Sequence, residues 1–292
     1  MKAYLKTRAM TPSAVFVAVG WCALSTPALA QSNAPWLPIP GSGSLSAGYV
    51  NQSGDSAYIG DKKLPLRTIT GGGAERYKRD NVSLKFAYGL TDSVSVDAAV
   101  VHSKVKIGAA DNASGIADSV LGVNWRVLDE FERRSLPTVT LRLSGILNGS
   151  YDGARLAGLG KDANGYGLSV LIGRQFTPKF SAWGGLGFEK RDNGVPTAKF
   201  VDLNAAYAVL PKLSLSAGYT NKKFGGNLDI GGPGFTPAAF QKVKEERETV
   251  RVGASYALTG KQSVGVSLGQ AISGRNTVKD DRIIGVNYSL GF

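Results

Sequence analysis

The chain has 292 residues, with 34 Lys and Arg against 22 Asp and Glu, a net charge of +12, one cysteine and one histidine. A single cysteine, Cys22, excludes an intramolecular disulfide and a cysteine-rich metal centre. A mature chain from which Cys22 has been cleaved also has no thiolate for catalysis. Net basicity suits nucleic acid, but no aromatic–basic motif accompanies it, so we expect no nucleic-acid partner.

The first thirty residues have the features of a secretory signal peptide. Basic residues precede an apolar run from Ala14 to Leu24, and Ala28-Leu29-Ala30 fits a small-x-small cleavage site. That run is much shorter than the roughly 20 residues that a spanning helix needs. We predict a cleaved signal peptide at 1–30, a short periplasmic segment at 31–43 and an outer-membrane domain at 44–292.

From residue 44 onward, apolar residues recur at every second position in segment after segment, as in Val82-x-Leu84-x-Phe86. Period two is typical of a strand with one apolar and one polar face. Twelve such segments are joined alternately by short and by long polar connectors. This alternation predicts an all-β protein, a transmembrane antiparallel β-barrel of about 12 strands in the bacterial outer membrane, with short periplasmic turns and longer extracellular loops.

A soluble β-sandwich is the competing interpretation of the same pattern. Its outward face would be solvated and its core would need large side chains. The polar face of these segments is instead rich in Gly, Ser and Ala, as in Ser263-x-Gly265-x-Ser267. Small residues of this kind suit the lumen of a barrel, and the apolar face then contacts the lipid bilayer.

Strand parity turns seven charged residues toward the lumen. They are Lys85, Asp97, Arg126, Arg142, Glu189, Asp202 and Arg251. Counting back from the Thr91-Asp92 turn also predicts that Lys85 lies opposite Asp97 as an ion pair. Two interpretations stay open: the arginines favour anionic solutes, or the charges neutralise one another.

The extracellular side offers two further candidates. Phe235 and Phe240 are apolar for a loop, so the loop 226–240 either folds inward as a gate or is a flexible surface loop. Lys242 and Lys244 either contact lipopolysaccharide phosphates or belong to a solvated strand extension.

Enzymatic sites find little support in the sequence. His102 is the one histidine, and parity sends the adjacent Ser103 to the other face of its strand, the wrong geometry for a hydrolase. A single histidine and no retained cysteine also argue against a metal site. We therefore expect no catalytic residue, no metal and no cofactor.

Two resemblances extend this interpretation. The final strand, with Tyr288, Leu290 and Phe292, resembles the signal that the barrel-assembly machinery recognises in outer-membrane proteins. The stretches YGLTDSVSVDAAV (88–100), GIADSVLGVNWRVL (115–128) and GLSVLIGRQFTPKFSAWGGLGFEKR (167–191) resemble the meta-pathway phenol-degradation-like outer-membrane family. That resemblance implies passive transport of small organic solutes, aromatic or anionic. The alternative is a closed structural or adhesive barrel that binds partners through its loops.

Overall fold

Twelve long antiparallel strands form the molecule. The computed structural model describes residues 34–108, 111–133, 135–151 and 158–292, so the predicted signal peptide lies outside the described residues. The strands are β1 Gly43–Gly54, β2 Tyr77–Gly89, β3 Val94–Ile107, β4 Ser119–Leu128, β5 Thr138–Leu147, β6 Gly165–Thr177, β7 Phe180–Arg191, β8 Ala198–Leu210, β9 Leu213–Phe224, β10 Glu246–Ala257, β11 Gln262–Arg275 and β12 Arg282–Gly291.

The sheet closes on itself into a barrel. Each strand pairs with its neighbours in sequence, and β1 pairs with both β2 and β12, so that Ser46 lies opposite Lys85 on one side and Ser289 on the other. At the seam, Gly43 N donates to Phe292 O (3.1 Å) and Phe292 N donates to Gly43 O (3.0 Å). Closure leaves none of the twelve strands at a free edge, which a bilayer requires. The predicted fold class is confirmed.

A repeated threonine motif shapes three of the short turns. The hydroxyl oxygens of Thr91, Thr177 and Thr259 each accept a hydrogen bond from the backbone N–H three residues later, at 3.0, 2.9 and 3.1 Å. A side-chain oxygen that satisfies a backbone donor stabilises a tight reversal of the chain. The Thr-x-x-strand spacing therefore encodes the periplasmic ends of these hairpins.

The two faces of the wall differ as the alternation predicts. Outward side chains such as Leu84, Val123 and Leu203 are 55%, 48% and 55% exposed, whereas inward polar residues such as Ser103 and Thr140 are fully buried. An exposed apolar belt of this extent is unusual for a water-soluble surface. The belt is the surface that faces lipid.

The long loops carry structure that the sequence analysis assigned to plain loops. After β1, a hairpin is formed by Ser56–Ile59 and Lys62–Pro65, and the short strand Val278–Lys279 pairs with its first strand. The helix Leu66–Ile69 follows the hairpin, and the 3-10 helix Pro237–Lys242 lies before β10. The strand Asp111–Ile116 lies in the long connector after β3 and pairs with the outer part of β3.

The outer loops also fill one side of the barrel opening. Leu66 from the first loop and Leu159 from the third are fully buried in a cluster with Tyr77 and Val105, which are inward residues of β2 and β3. Apolar packing of this kind fixes the loops against the inner wall. Neither helical segment among the described residues has the length and hydropathy to cross a bilayer.

Candidate functional site

The inner wall differs around its circumference. On β9 to β12 and β1, most inward positions toward the turn end are Gly or Ser, whereas β3 to β5 carry the larger polar side chains of Asp97, Asn124 and Arg142. The small residues are Ser214, Ser216, Gly218, Gly253, Ser255, Ser263, Gly265, Ser267, Gly269, Gly285, Ser289, Ser46 and Gly48. Short side chains leave lumen volume beside this part of the wall.

Asp97 and Arg142 form a buried ion pair on the wall with the larger side chains. Arg142 Nη2 lies 2.5 Å from Asp97 Oδ2, and Asn124 Nδ2 donates to Asp97 Oδ1 at 2.7 Å. Arg142 is 2% exposed and Asp97 is 7% exposed. The predicted inward direction of both residues agrees with this burial.

The predicted Lys85–Asp97 pair is wrong. Asp97 lies opposite Ala87, and Lys85 lies opposite Ala99. The observed pairs, from Gly89 opposite Ser95 outward, are centred on Asp92, whereas a Lys85–Asp97 pair would be centred on Thr91, so the partner on β3 differs by two residues. A two-residue shift keeps the face but changes the partner. Lys85 Nζ is buried, with no hydrogen-bond partner among the described residues.

Arg126 lies at the turn end of the barrel. Its guanidinium donates to the Asp92 carbonyl at 2.6 Å and lies 3.0 Å from the Asp129 carboxylate. Arg251 is half-buried on the inner face of β10, opposite Gly218 and Gly269. Because Arg126 and Arg142 are both paired with carboxylates, the geometry favours mutual neutralisation over an anion-attracting ring at these two positions.

A second ion cluster surrounds Glu189 nearer the outer end. Lys222 Nζ lies 2.8 Å from Glu189 Oε2, and Arg191 bridges from Glu189 (3.7 Å) to Asp118 (2.6 Å). Tyr151 donates a hydrogen bond to Asp118, and burial together with that carboxylate raises the pKa of Tyr151. Of this cluster, only Glu189 was predicted from the sequence. Inward parity continued for two residues past Glu189 on β7 and for four residues past Gly218 on β9 would have found Arg191 and Lys222.

A third group of charges lies beneath the outer loops. Arg247 pairs with Asp280, which is fully buried, and Gln52 donates to the same carboxylate at 3.3 Å. Lys161 Nζ lies 2.5 Å from the Glu245 carboxylate. Burial alone would raise the pKa of Glu245, but the charge of Lys161 holds this pKa below its usual range. These residues lie on outer strand ends and loops, where the alternation that guided the sequence analysis stops.

The segment before β1 enters the lumen from the turn end. The Pro35 carbonyl accepts a hydrogen bond from Thr140 Oγ1 at 2.6 Å, an inward residue of β5. Trp36 packs edge-on against Trp183 with ring centroids 5.7 Å apart, and its indole N–H donates to Glu130 at 2.8 Å. The predicted boundaries of the periplasmic segment 31–43 stay a prediction, and these contacts place its described part against the inner wall.

The candidate gating loop lies in the outer loop assembly. The rings of Phe235 and Phe240 contact each other at 5.1 Å, edge to face, and both residues are partly exposed. Lys242 and Lys244 are exposed on the same loop. Gating by the two phenylalanines and lipopolysaccharide contact by the two lysines both stay predictions.

This loop is anchored by one carboxylate. Asp229 accepts hydrogen bonds from Arg275 at 2.6 Å and from Asn276 at 2.7 Å, and both donors hold its pKa below the usual range. The amide of Asn276 also donates to the Lys244 carbonyl at 2.7 Å. Asn276 has a positive φ of 49°, a conformation that Asn tolerates better than most residues.

The C-terminal residues lie on the lipid face. Tyr288 and Phe292 are exposed, Leu290 is partly exposed, and Phe292 stacks on Phe86 of β2 with centroids 6.3 Å apart. Their recognition by the assembly machinery stays a prediction.

His102 and Ser103 lie on opposite faces of β3, as parity predicts. His102 is exposed and Ser103 is fully buried. The hydroxyl of Ser114 on the outward face is 3.5 Å from His102 Nε2, which is long for an activated nucleophile. Within the described ranges, His, Cys, Asp and Glu form no group of three or more suited to a metal ion.

Comparison with known proteins decides the family. Residues 48–286 match the family model described as "Putative MetA-pathway of phenol degradation". The chain belongs to this family. Its structure superposes on an outer membrane channel from Pseudomonas putida F1 with a TM-score of 0.70, at 18% identity, over 88% of this chain and 97% of that one.

A second match is weaker. The KdgM porin in complex with disordered oligogalacturonate gives a TM-score of 0.51 at 10% identity, over 85% of this chain and 99% of that chain. No curated protein matches in sequence. These structural likenesses confirm the predicted outer-membrane β-barrel fold.

Proposed function

We propose that the protein is an outer-membrane channel for passive passage of small organic solutes, and that neutral aromatic compounds are its preferred class. The observation that carries the proposal is the composition of the inner wall. A Gly- and Ser-rich side leaves volume, and the tryptophans Trp36 and Trp183 form an aromatic surface in the lumen.

The charges of the lumen support a neutral solute over an anion. Three buried inward cations, Arg142, Arg191 and Lys222, each have a carboxylate within 2.8 Å. Paired charges produce a weak net field along a pore, whereas selectivity for anions needs an excess of one sign. The phenol-degradation description of the family agrees with an aromatic solute.

A closed structural or adhesive barrel is the second candidate. The apolar cluster around Leu66 and Leu159, together with the Glu189 ion cluster, fills much of the outer end. A protein of this kind would bind partners through its outer loops and pass no solute.

Conductance and flux separate the two candidates. The purified protein is reconstituted into planar bilayers for current recordings and into liposomes for flux of radiolabelled phenol and benzoate. We expect stable unitary current steps, weak ion selectivity, and phenol flux above that of protein-free liposomes. Silent bilayers together with background flux would support the closed barrel, and faster benzoate than phenol flux would contradict the preference for neutral solutes.

A further inference from the structure

Two hydrogen-bond donors without partners lie side by side on the inner wall. Trp183 of β7 is directly opposite Asn204 of β8, and both side chains face inward. Trp183 is only 8% exposed. Trp183 Nε1 and Asn204 Nδ2 are both buried with no hydrogen-bond partner among the described residues. Buried donors are normally satisfied, so two adjacent unsatisfied ones indicate a place for an acceptor atom.

An unpartnered acceptor belongs to the same patch. Asp202 precedes Asn204 by two residues and therefore faces inward about 7 Å further along the strand. It is 4% exposed, and its Oδ1 atom is buried without a hydrogen-bond partner among the described residues. The patch thus offers two donors and one acceptor on the inner face of two paired strands.

An aromatic ring and two glycines surround these polar atoms. Trp36 lies edge-on against Trp183 at 5.7 Å. A Cβ at Gly173 would be 2.8 Å from Trp183 Cβ, and one at Gly218 would be 2.8 Å from Asn204 Oδ1. A side chain at Gly173 would therefore crowd Trp183, and one at Gly218 would crowd Asn204.

We propose that Trp183, Asn204 and Asp202 form a luminal binding site for a small neutral aromatic molecule that carries a hydroxyl group. The hydroxyl oxygen accepts from Trp183 Nε1 and Asn204 Nδ2, and its hydrogen is donated to Asp202 Oδ1. The ring packs beside the Trp36–Trp183 pair. A carboxylate fits less well, because it has no proton to donate to Asp202. This site rests on the proposed passage of organic solutes and specifies their chemistry.

Equilibrium binding to the full-length mature protein in detergent tests the site. Radiolabelled phenol, benzoate and toluene are dialysed against wild type, Trp183→Phe and Asn204→Leu. Each substitution keeps much of the side-chain volume and removes one donor. We expect phenol to bind wild type more tightly than toluene or benzoate. Each variant should bind phenol about fivefold more weakly, the value of one net hydrogen bond, with toluene unchanged. Trp125→Phe, on the lipid face and 55% exposed in wild type, is the matched control and should leave phenol binding unchanged.

Contrary results are well defined. Equal affinity for phenol and toluene, or unchanged phenol affinity in both variants, would overturn the site, and tighter binding of benzoate than phenol would overturn the hydroxyl assignment. Circular dichroism verifies that each variant is folded, and two variants at different positions guard against the loss of one. Phenol flux in liposomes is measured independently. Flux together with phenol binding that neither substitution weakens would support the channel and overturn the site. Phenol binding that the substitutions weaken, without flux, would overturn the channel and support the site.

Discussion

Asp97 accepts hydrogen bonds from two side chains inside the wall, Arg142 and Asn124, and both contacts depend on strand register. Strand parity predicted that Asp97 and Arg142 face the lumen. It did not predict their contact, because Arg142 lies two strands away from Asp97. The predicted partner, Lys85, lies opposite Ala99 instead. Facing direction could therefore be predicted from the sequence. The identity of the partner could not, because it requires the length of each turn and the stagger of the closed sheet.

Removing one member of this pair should be strongly destabilising. Asp97→Asn leaves the Arg142 guanidinium buried with no carboxylate, and breaking a buried pair costs about 3–5 kcal/mol. We expect a corresponding fall in the free energy of unfolding, measured by urea titration in lipid vesicles. Arg67→Gln breaks a pair whose side chains are 74% and 80% exposed, and should change it by less than about 1 kcal/mol. Equal stability of both variants would show that the Asp97–Arg142 pair does not stabilise the barrel.

At the scale of the elements, all twelve strands and the alternation of short and long connectors could be predicted, because period two and turn residues are local signals. The contents of the outer loops could not. The strand Asp111–Ile116 and the helix Leu66–Ile69 are short, and what holds them is contact with distant residues such as Tyr77 and Val101. Tertiary packing of this kind leaves little trace in a local sequence pattern.

The threonine turns give a test of local encoding. Thr91→Ala and Thr177→Ala each remove a hydroxyl acceptor from a backbone N–H, which we expect to lower the free energy of unfolding by about 0.5–1.5 kcal/mol. Thr236→Ala is the control, because Thr236 makes no side-chain cap hydrogen bond at its 3-10 helix. If Thr236→Ala were as destabilising as the turn variants, the hydroxyl bonds would not account for the effect.

The anchor of the outer loop should respond to pH. Arg275 and Asn276 hold the pKa of Asp229 below its usual range, so this anchor stabilises the folded loop fully above the unfolded carboxyl pKa, about 3.9. The contribution is lost as pH falls through the lowered value. We expect hydrogen exchange in the loop 226–244 to increase at such acid pH in wild type, and already at neutral pH in Asp229→Asn.

A second acidic residue supplies the comparison for this loop. Lys279 and the Asp55 backbone N–H lower the pKa of Asp281 against the effect of burial, but Asp281 contacts the first outer loop and not the loop 226–244. Asp281→Asn should therefore leave exchange in 226–244 unchanged at neutral pH. Equal exchange in both variants would mean that Asp229 is not the specific anchor.

At the scale of the whole molecule, charge inside the barrel is balanced in clusters. Glu189→Gln would leave Lys222 and Arg191 with less negative charge beside them. If ions pass this cluster, the reversal potential in a salt gradient should shift toward anion preference. Glu246→Gln, whose partner Lys223 is on the outward face and 55% exposed, should cause no shift. No shift in Glu189→Gln would place the conduction path away from the cluster.

The seam between Gly43 and Phe292 has a consequence for biogenesis. Because β12 supplies the pairing surface for both β11 and β1, a chain interrupted before residue 282 would leave two unpaired edges that cannot be accommodated in lipid. Synthesis must therefore extend through β12 before the barrel can close in the bilayer.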